Sequence, residues 1–248
     1  MNRLKGRRSD RLKAVAVVTA AGAGERMGTA VAKQFLEIDG RPLLAVTLEK
    51  FQHCPEIEGI VVVVPSDAVE YCRTGIIEPQ GLTKVVKVVA GGARRQDSVR
   101  KGLEASGGSY GLVVIHDGVR PFVDIGLIGR AVEAARRWGA VITALPARET
   151  VKQVDEDGMV RGTIDRRHVW MVQTPQVFPY EDIIKAHRRA QKEAWDDVTD
   201  DAMLMERMGI PVKVIEGMED NIKVTTPRDL ALARFILERD SHAPFIMG

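Results

Sequence analysis

Aromatic side chains are few, 12 among 248 residues, too thin a supply for the stacking platforms that hold single-stranded nucleic acid. Two cysteines, Cys54 and Cys72, cannot build a disulfide framework and lack C-x-x-C spacing. They suit a reducing cytoplasm as small buried or half-buried thiols. The five histidines are scattered, with no H-x-x-x-H pair, which argues against a histidine-built zinc site. No apolar run approaches the roughly 20 residues that cross a bilayer, so no membrane partner is expected. Internal repeats and Ser/Pro-rich linkers are missing as well. What remains is ordinary globular composition, 45% hydrophobic and 28% charged, rich enough for a sizeable core and too balanced for disorder.

Charge is nearly cancelled overall but unevenly placed. Met1–Lys13 (MNRLKGRRSDRLK) carries six basic residues and one acidic, a charge of +5, while the other 235 residues sum to −3. The pI near 8.5 therefore describes a tail, and no nucleic-acid partner follows from it. Ala14–Ala21 (AVAVVTAA), with Ala21-Gly22-Ala23 behind it, mimics a secretory signal and its cleavage site, and Arg7-Arg8 a twin-arginine signal. That run is short and poor in large residues, and cleavage would remove what reads as the first core strand. We read residues 1–13 as a basic extension and 14–240 as one domain of a cytoplasmic protein.

Strand and helix signals then alternate. Buried-strand patterns fall at 14–20, 59–64, 84–89, 111–115, 139–145 and 212–216; helix patterns fall at 42–51, 96–105, 124–138, 180–194, 202–208 and 227–239. Such alternation implies βαβ units, hence an α/β fold with a mostly parallel sheet and helices on both faces. Functional residues are expected on loops after the strands' carboxyl ends. One segment, about 147–169, breaks the rhythm: Val151–Val154, a turn ending at Gly158, and Met159–Arg161 predict a β-hairpin. It reads as a projecting arm with little apolar surface of its own, needing a partner to lie against.

Four motifs carry chemistry. Ala20-Ala21-Gly22-Ala23-Gly24-Glu25-Arg26-Met27-Gly28 follows the first strand, and its small residues let backbone N–H groups approach an anion. Its glycines are spaced G-x-G-x-x-x-G, and no acidic residue ends a second strand about 20 positions on, so a nicotinamide dinucleotide is disfavoured. Arg26 and the pair Lys33-Gln34 suit a triphosphate better; a plain tight turn is the bland alternative. Val113–Pro121 runs a strand into His116-Asp117, placing a carboxylate where it could bind a ribose hydroxyl or Mg²⁺; His116 could equally be a core histidine donating to a carbonyl. Gly91–Val99 (GGARRQDSV) opens a helix in which Ser98 recognises a base or ribose, or merely caps. In Asp220–Thr225, Lys223 points opposite to its apolar neighbours, toward a cleft or toward solvent.

In this order the pieces resemble one family, the 2-C-methyl-D-erythritol 4-phosphate cytidylyltransferases. They are AAGAGERMG at 20–28, KQFL at 33–36, GGARRQDSV at 91–99, HDGVRP at 116–121, TIDR at 163–166, TPQ at 174–176, VTDDA at 198–202 and DNIKVTTPRDL at 220–230. HDGVRP and DNIKVT are specific; the glycine loop is shared by many nucleotidyltransferases. The resemblance implies a Rossmann-like sheet, a homodimer joined by the hairpin arm, and Mg²⁺-dependent transfer of CMP from CTP. It assigns Arg26 and Lys33 to charge at the CTP phosphates, and Arg166 and Lys223 to holding the methylerythritol phosphate for attack. Ala20, Ala21, Gly22, Ala23, Gly24, Gly92, Ser98 and Asp117 would line the nucleotide; Asp117 and Thr199 would also hold the sugar, and Asp117 is the candidate metal ligand. Ala93 stands where the family often has an acidic residue, so no side-chain contact carries over there. A cytidylyltransferase acting on another polyol phosphate, such as ribitol 5-phosphate, is the alternative. The chemistry agrees with the residue types: an in-line displacement between anions needs positioning and cations, not a nucleophilic triad.

Overall fold

The computed structural model describes residues 12–22 and 33–242, with Lys33, Ser241 and His242 as backbone only. In chain order come β1 (Ala14–Thr19), a small hairpin of β2 (Glu37–Ile38) and β3 (Arg41–Pro42), α1 (Leu43–His53) and β4 (Ile57–Val64). Then follow α2 (Val69–Tyr71, running into a wide turn at Cys72–Ile77), β5 (Val85–Ala90), α3 (Arg95–Ala105), β6 (Leu112–Asp117), α4 (Ile125–Trp138) and β7 (Ala140–Pro146). The arm is β8 (Val151–Val154) and β9 (Val160–Ile164); β10 (Trp170–Pro179), α5 (Tyr180–Lys192), α6 (Asp201–Arg207), β11 (Val212–Glu216) and α7 (Pro227–His242) follow it among the described residues.

Seven strands form the main sheet in the order β11-β7-β10-β6-β1-β4-β5. Only β10 runs against its neighbours β6 and β7; the other pairs are parallel. β1 and β4 are valine-rich because both faces are covered. Ala14, Ala16 and Val18 pack with Leu44, Leu48 and Phe51 of α1 and Ile128 and Val132 of α4. Val15 and Val17 face the other side, with Val99 and Leu103 of α3 and Ile183 of α5. Ala14–Thr19 of the segment that mimics a secretory signal is thus the interior strand β1. From β1 the chain crosses to β4 on one side and later to β6 on the other. This leaves a crevice at the carboxyl ends of β1 and β6, where an open α/β sheet takes its ligands.

The expected strands and helices are present with ends shifted by a few residues. Asp124 stands outside α4 and caps it, its side chain accepting from Gly126 N–H. The sequence reading missed β10. Its first three residues are exposed and the next six buried, so it shows neither alternation nor an unbroken apolar run, and Pro175 interrupts it. The reading also missed β2, β3 and α2, which are short. It underrated the arm: Val154, Met159, Val160 and Ile164 are exposed there, continuous along the chain with exposed Trp170, Met171 and Val172 at the start of β10.

Candidate active site

The fully buried strand β6 delivers two adjacent side chains with opposite fates. His116 turns into the core, where it has no exposure and lies against Phe51, ring centres 5.0 Å apart. Nε2–H donates to the Arg120 carbonyl at 3.3 Å. Nδ1 then accepts from the Thr174 hydroxyl at 3.0 Å, and that hydroxyl accepts from Asp117 N–H at 3.2 Å. Burial pushes the His116 pKa down to about 3, so the ring is neutral. It is the core histidine of the two readings, and it fixes the backbone that carries Asp117.

Asp117 faces the crevice and gathers three cations. Lys223 reaches it at 2.9 Å, Arg95 and Arg120 at 3.4 Å each. Burial alone would raise its pKa, but the charges of Arg95, Lys223 and Arg120 outweigh burial and hold the carboxyl far below the usual range. Arg95 is shared: it also donates to Asp201 at 2.7 Å, and Asp201 accepts from His187 at 3.0 Å. Lys223 is aimed by its own segment. Asn221 donates to the Thr174 carbonyl, and Arg120 donates to the Asn221 carbonyl, both at 2.7 Å. Val224 N–H bonds to the Val119 carbonyl at 2.9 Å and its side chain is buried. The alternation expected from sequence therefore holds, and the lysine it exposes points to Asp117.

Two cavities share Arg95, Asp117 and Lys223 as a common wall. The smaller, about 380 Å³, is lined by Thr19–Gly22, Gly92, Ala93, Arg94 and Ser98. Ser98 shapes this side: its hydroxyl accepts from Gly92 N–H at 3.0 Å and donates to the Arg94 carbonyl at 3.2 Å. The turn is so tight that a Cβ on Gly91 would sit 2.3 Å from the Ala21 Cβ, and one on Gly92 2.4 Å from the Asp97 Cβ. The larger cavity, about 480 Å³, is lined by polar Thr199, Asp200, Gln176 and Glu206 together with apolar Ile142, Val172 and Met203.

The structure thus brings together Ala20, Ala21, Gly22, Gly92, Ser98, Asp117, Thr199 and Lys223 around one divided crevice. Ala23, Gly24 and Arg26 lie outside the described residues. Lys33 enters only as backbone, opening a short 3₁₀ turn, Lys33–Phe35. Arg166 lines neither cavity; it sits in a 3₁₀ turn, Arg166–His168, at the root of the arm, where it donates to the Arg148 carbonyl. Its neighbour Asp165 pairs with Arg167 instead. Sequence reasoning passed over Arg95, Arg120 and Asp201. All three stand inside motifs it had singled out, but nothing in the sequence says that residues 95, 117 and 201 meet.

No three His, Cys, Asp or Glu side chains cluster around a cation site among the described residues. Asp117 is the single carboxylate lining the smaller cavity among them. Mg²⁺ commonly takes one or two carboxylates and lets substrate phosphates and water complete its shell. This donor set fits an ion that arrives with a triphosphate, not one caged by protein.

The model of the family "IspD: 2-C-methyl-D-erythritol 4-phosphate cytidylyltransferase" matches residues 14–239. Over 228 residues the chain is 46% identical to the 2-C-methyl-D-erythritol 4-phosphate cytidylyltransferase of Geobacter metallireducens, covering 90% of this chain and 97% of the relative. It is equally similar, 46% over 228 residues, to the protein of that name from Syntrophus aciditrophicus, with 92% and 97% covered. Among solved structures, the 4-diphosphocytidyl-2C-methyl-D-erythritol synthase of Anaerococcus prevotii superposes with a TM-score of 0.80 at 35% identity, covering 92% of this chain and 97% of that one. The 2-C-methyl-D-erythritol 4-phosphate cytidylyltransferase of Thermus thermophilus gives 0.71 at 34%, covering 90% and 98%.

Proposed function

The chain belongs to the IspD family of 2-C-methyl-D-erythritol 4-phosphate cytidylyltransferases, and from that premise we propose how its residues divide the reaction. The enzyme transfers CMP from CTP to 2-C-methyl-D-erythritol 4-phosphate. A phosphate oxygen of the acceptor attacks the α-phosphorus of CTP, the bond from that phosphorus to its bridging oxygen breaks, and pyrophosphate leaves. The products are 4-diphosphocytidyl-2-C-methyl-D-erythritol and pyrophosphate.

One observation carries this reading: two cavities meet at a wall of Arg95, Asp117 and Lys223. A reaction between two anions needs such a cationic boundary, because bringing phosphates together in a low-dielectric cleft is otherwise strongly unfavourable. The nucleotide takes the smaller cavity, cradled by Ala20–Gly24, Gly92 and Ser98. Arg26 and Lys33 stabilise charge on its phosphates. The acceptor takes the larger cavity. Asp117, acceptor-only when ionised, receives sugar hydroxyls there, and Thr199 holds the polyol. Ile142, Val172 and Met203 offer an apolar surface that suits a polyol bearing a methyl group. Lys223 exchanges its Asp117 contact for the attacking phosphate. Arg166 holds the same phosphate from the arm of a second subunit in a homodimer. Asp117 would help hold Mg²⁺ arriving with CTP, and the ion would supply positive charge to the phosphates. The cytoplasm is the proposed location; both cysteines are buried and unpaired, as a reducing compartment leaves them.

Pyrophosphate release tests the reading. CTP, UTP and ATP are offered with Mg²⁺ and, in turn, methylerythritol 4-phosphate, erythritol 4-phosphate and ribitol 5-phosphate. Turnover should be fastest with CTP and methylerythritol 4-phosphate and should vanish with EDTA. Equal turnover with UTP, or faster turnover with ribitol 5-phosphate, would overturn it.

A further inference from the structure

Beneath the wall between the cavities lies a second carboxylate that the reaction as described does not use. Asp201 opens α6 and is 1% exposed. One oxygen accepts from Arg95 at 2.7 Å, and the other accepts from His187 at 3.0 Å. His187, on α5, has no exposure. Asp201 is absent from the linings of both cavities, whereas Arg95 lines both. A buried carboxylate is costly unless paired, and Asp201 is paired on both oxygens, once to each side.

We propose that Asp201, oriented by His187, is the positioning residue that fixes Arg95 in the wall between the two substrates. Asp117 alone faces three cations, and its contacts to Arg95 and Arg120, 3.4 Å each, are longer than the 2.7 Å between Arg95 and Asp201. Asp201 therefore carries most of the Arg95 guanidinium and leaves Asp117 to Lys223 and Arg120. When Asp117 turns to a substrate hydroxyl, Arg95 stays in place because its stronger partner is out of reach of the substrates. Without that anchor Arg95 falls back on Asp117, competing for the carboxylate that the acceptor and Lys223 require. His187 in turn stops Asp201 from rotating away, since its ring is fully buried on α5 and bonded to the start of α6. Arrangements of this kind put a supporting shell behind a contact residue, and a misplacement of about 1 Å can cost a hundredfold in rate.

This inference rests on the cytidylyltransferase reading, so wild-type turnover of CTP with methylerythritol 4-phosphate is the control that separates the two; its absence would count against that reading alone. The test is a double-mutant cycle in kcat/KM for the acceptor, using Asp201→Asn and Arg95→Met. Each single variant should lose about tenfold or more, as directly bonded charged groups couple at that level. The double variant should fall no more than about twofold below Arg95→Met, because Asp201 acts through Arg95. Asp201→Glu, which keeps the charge, should regain most of the activity. Losses that multiply in the double variant, or wild-type kinetics for Asp201→Asn, would overturn the proposal. If Asp201→Asn does not fold, His187→Gln replaces it in the same cycle, with non-additivity and multiplication again deciding for and against.

Discussion

Replacing Asp117 by Asn should separate the electrostatic work of the crevice from its shape. The substitution keeps volume and removes the charge that Lys223, Arg95 and Arg120 share, while Arg95 keeps its pair with Asp201. Taking one partner from a fully buried ion pair costs about 3–5 kcal/mol. Here Arg95 and Lys223 keep 30% and 39% side-chain exposure and can turn to water, whereas Arg120 keeps 11%. We therefore expect a loss of about 2–3 kcal/mol at pH 7, below the fully buried range. The pH dependence fixes the sign. The folded pKa of Asp117 lies far below its unfolded value of about 3.9. Its stabilisation is thus complete above about pH 4 and disappears as pH falls toward the folded pKa, at about 1.4 kcal/mol per pH unit. The gap between wild type and Asp117→Asn should shrink by about 1 kcal/mol between pH 7 and pH 3. Urea unfolding at the two pH values, read by tryptophan fluorescence with m-values compared, measures it. A gap that stays constant or widens on acidification would refute the account. Turnover should be lost at pH 7 in a protein that is still folded.

Other expectations follow from the same crevice and core. Lys33→Ala should lower kcat by about 10²–10³; an unchanged kcat with a raised KM for CTP would make Lys33 a binding residue only. Arg166→Ala and Lys223→Ala should each be nearly inactive, yet mixed dimers should regain activity, because one site then has both defects and the other has neither; no rescue in proven heterodimers would place both residues in the same subunit's site. A Cβ on Gly102 would lie 2.4 Å from the Val17 Cγ1 and 2.9 Å from the Val63 Cγ2, so Gly102→Ala should destabilise by about 1–3 kcal/mol through overpacking. Thermal melting checks this last point, and a melting temperature at or above the wild-type value would contradict the tight seating of α3.

Much of this was readable in advance because the decisive signals were local. β1 and β4 announce themselves as valine-rich runs, and Asp117 as the polar end of the apolar run that becomes β6. The alternation around Lys223 also held, since Ile222 and Val224 are drawn inward on either side of it. What escaped the sequence was long-range. β10 changes from exposed to buried at Gln173, so no single period describes it. Its register against β7 also shifts between Val172 and Gln176, which shows only in the pairing. Arg95 at the start of α3, Asp117 at the end of β6 and Asp201 at the start of α6 meet only through the tertiary fold, and each alone has an ordinary local explanation as a capping or turn residue. Ser98 carried two readings, and its hydroxyl is spent mostly on shaping the Gly92 turn.

The valine-rich strands have a consequence for how the sheet finds its alignment. Pairing is usually selected because a slip of one residue would turn apolar side chains to water. Along Val61–Val64 of β4 that penalty is weak: valine faces both cores, and that stretch would bury valine just as well after a slip. The choice must come from places where only one alignment fits. Such places are the notch at Gly102, which admits Val17 and Val63, and the turn at Gly91, pressed against Ala21. The second of these adjoins the smaller cavity, which Ala21 and Gly92 line and where we propose that the nucleotide binds. A substitution there would therefore act twice, once on the bound nucleotide and once on the fidelity with which the central strands pair during folding.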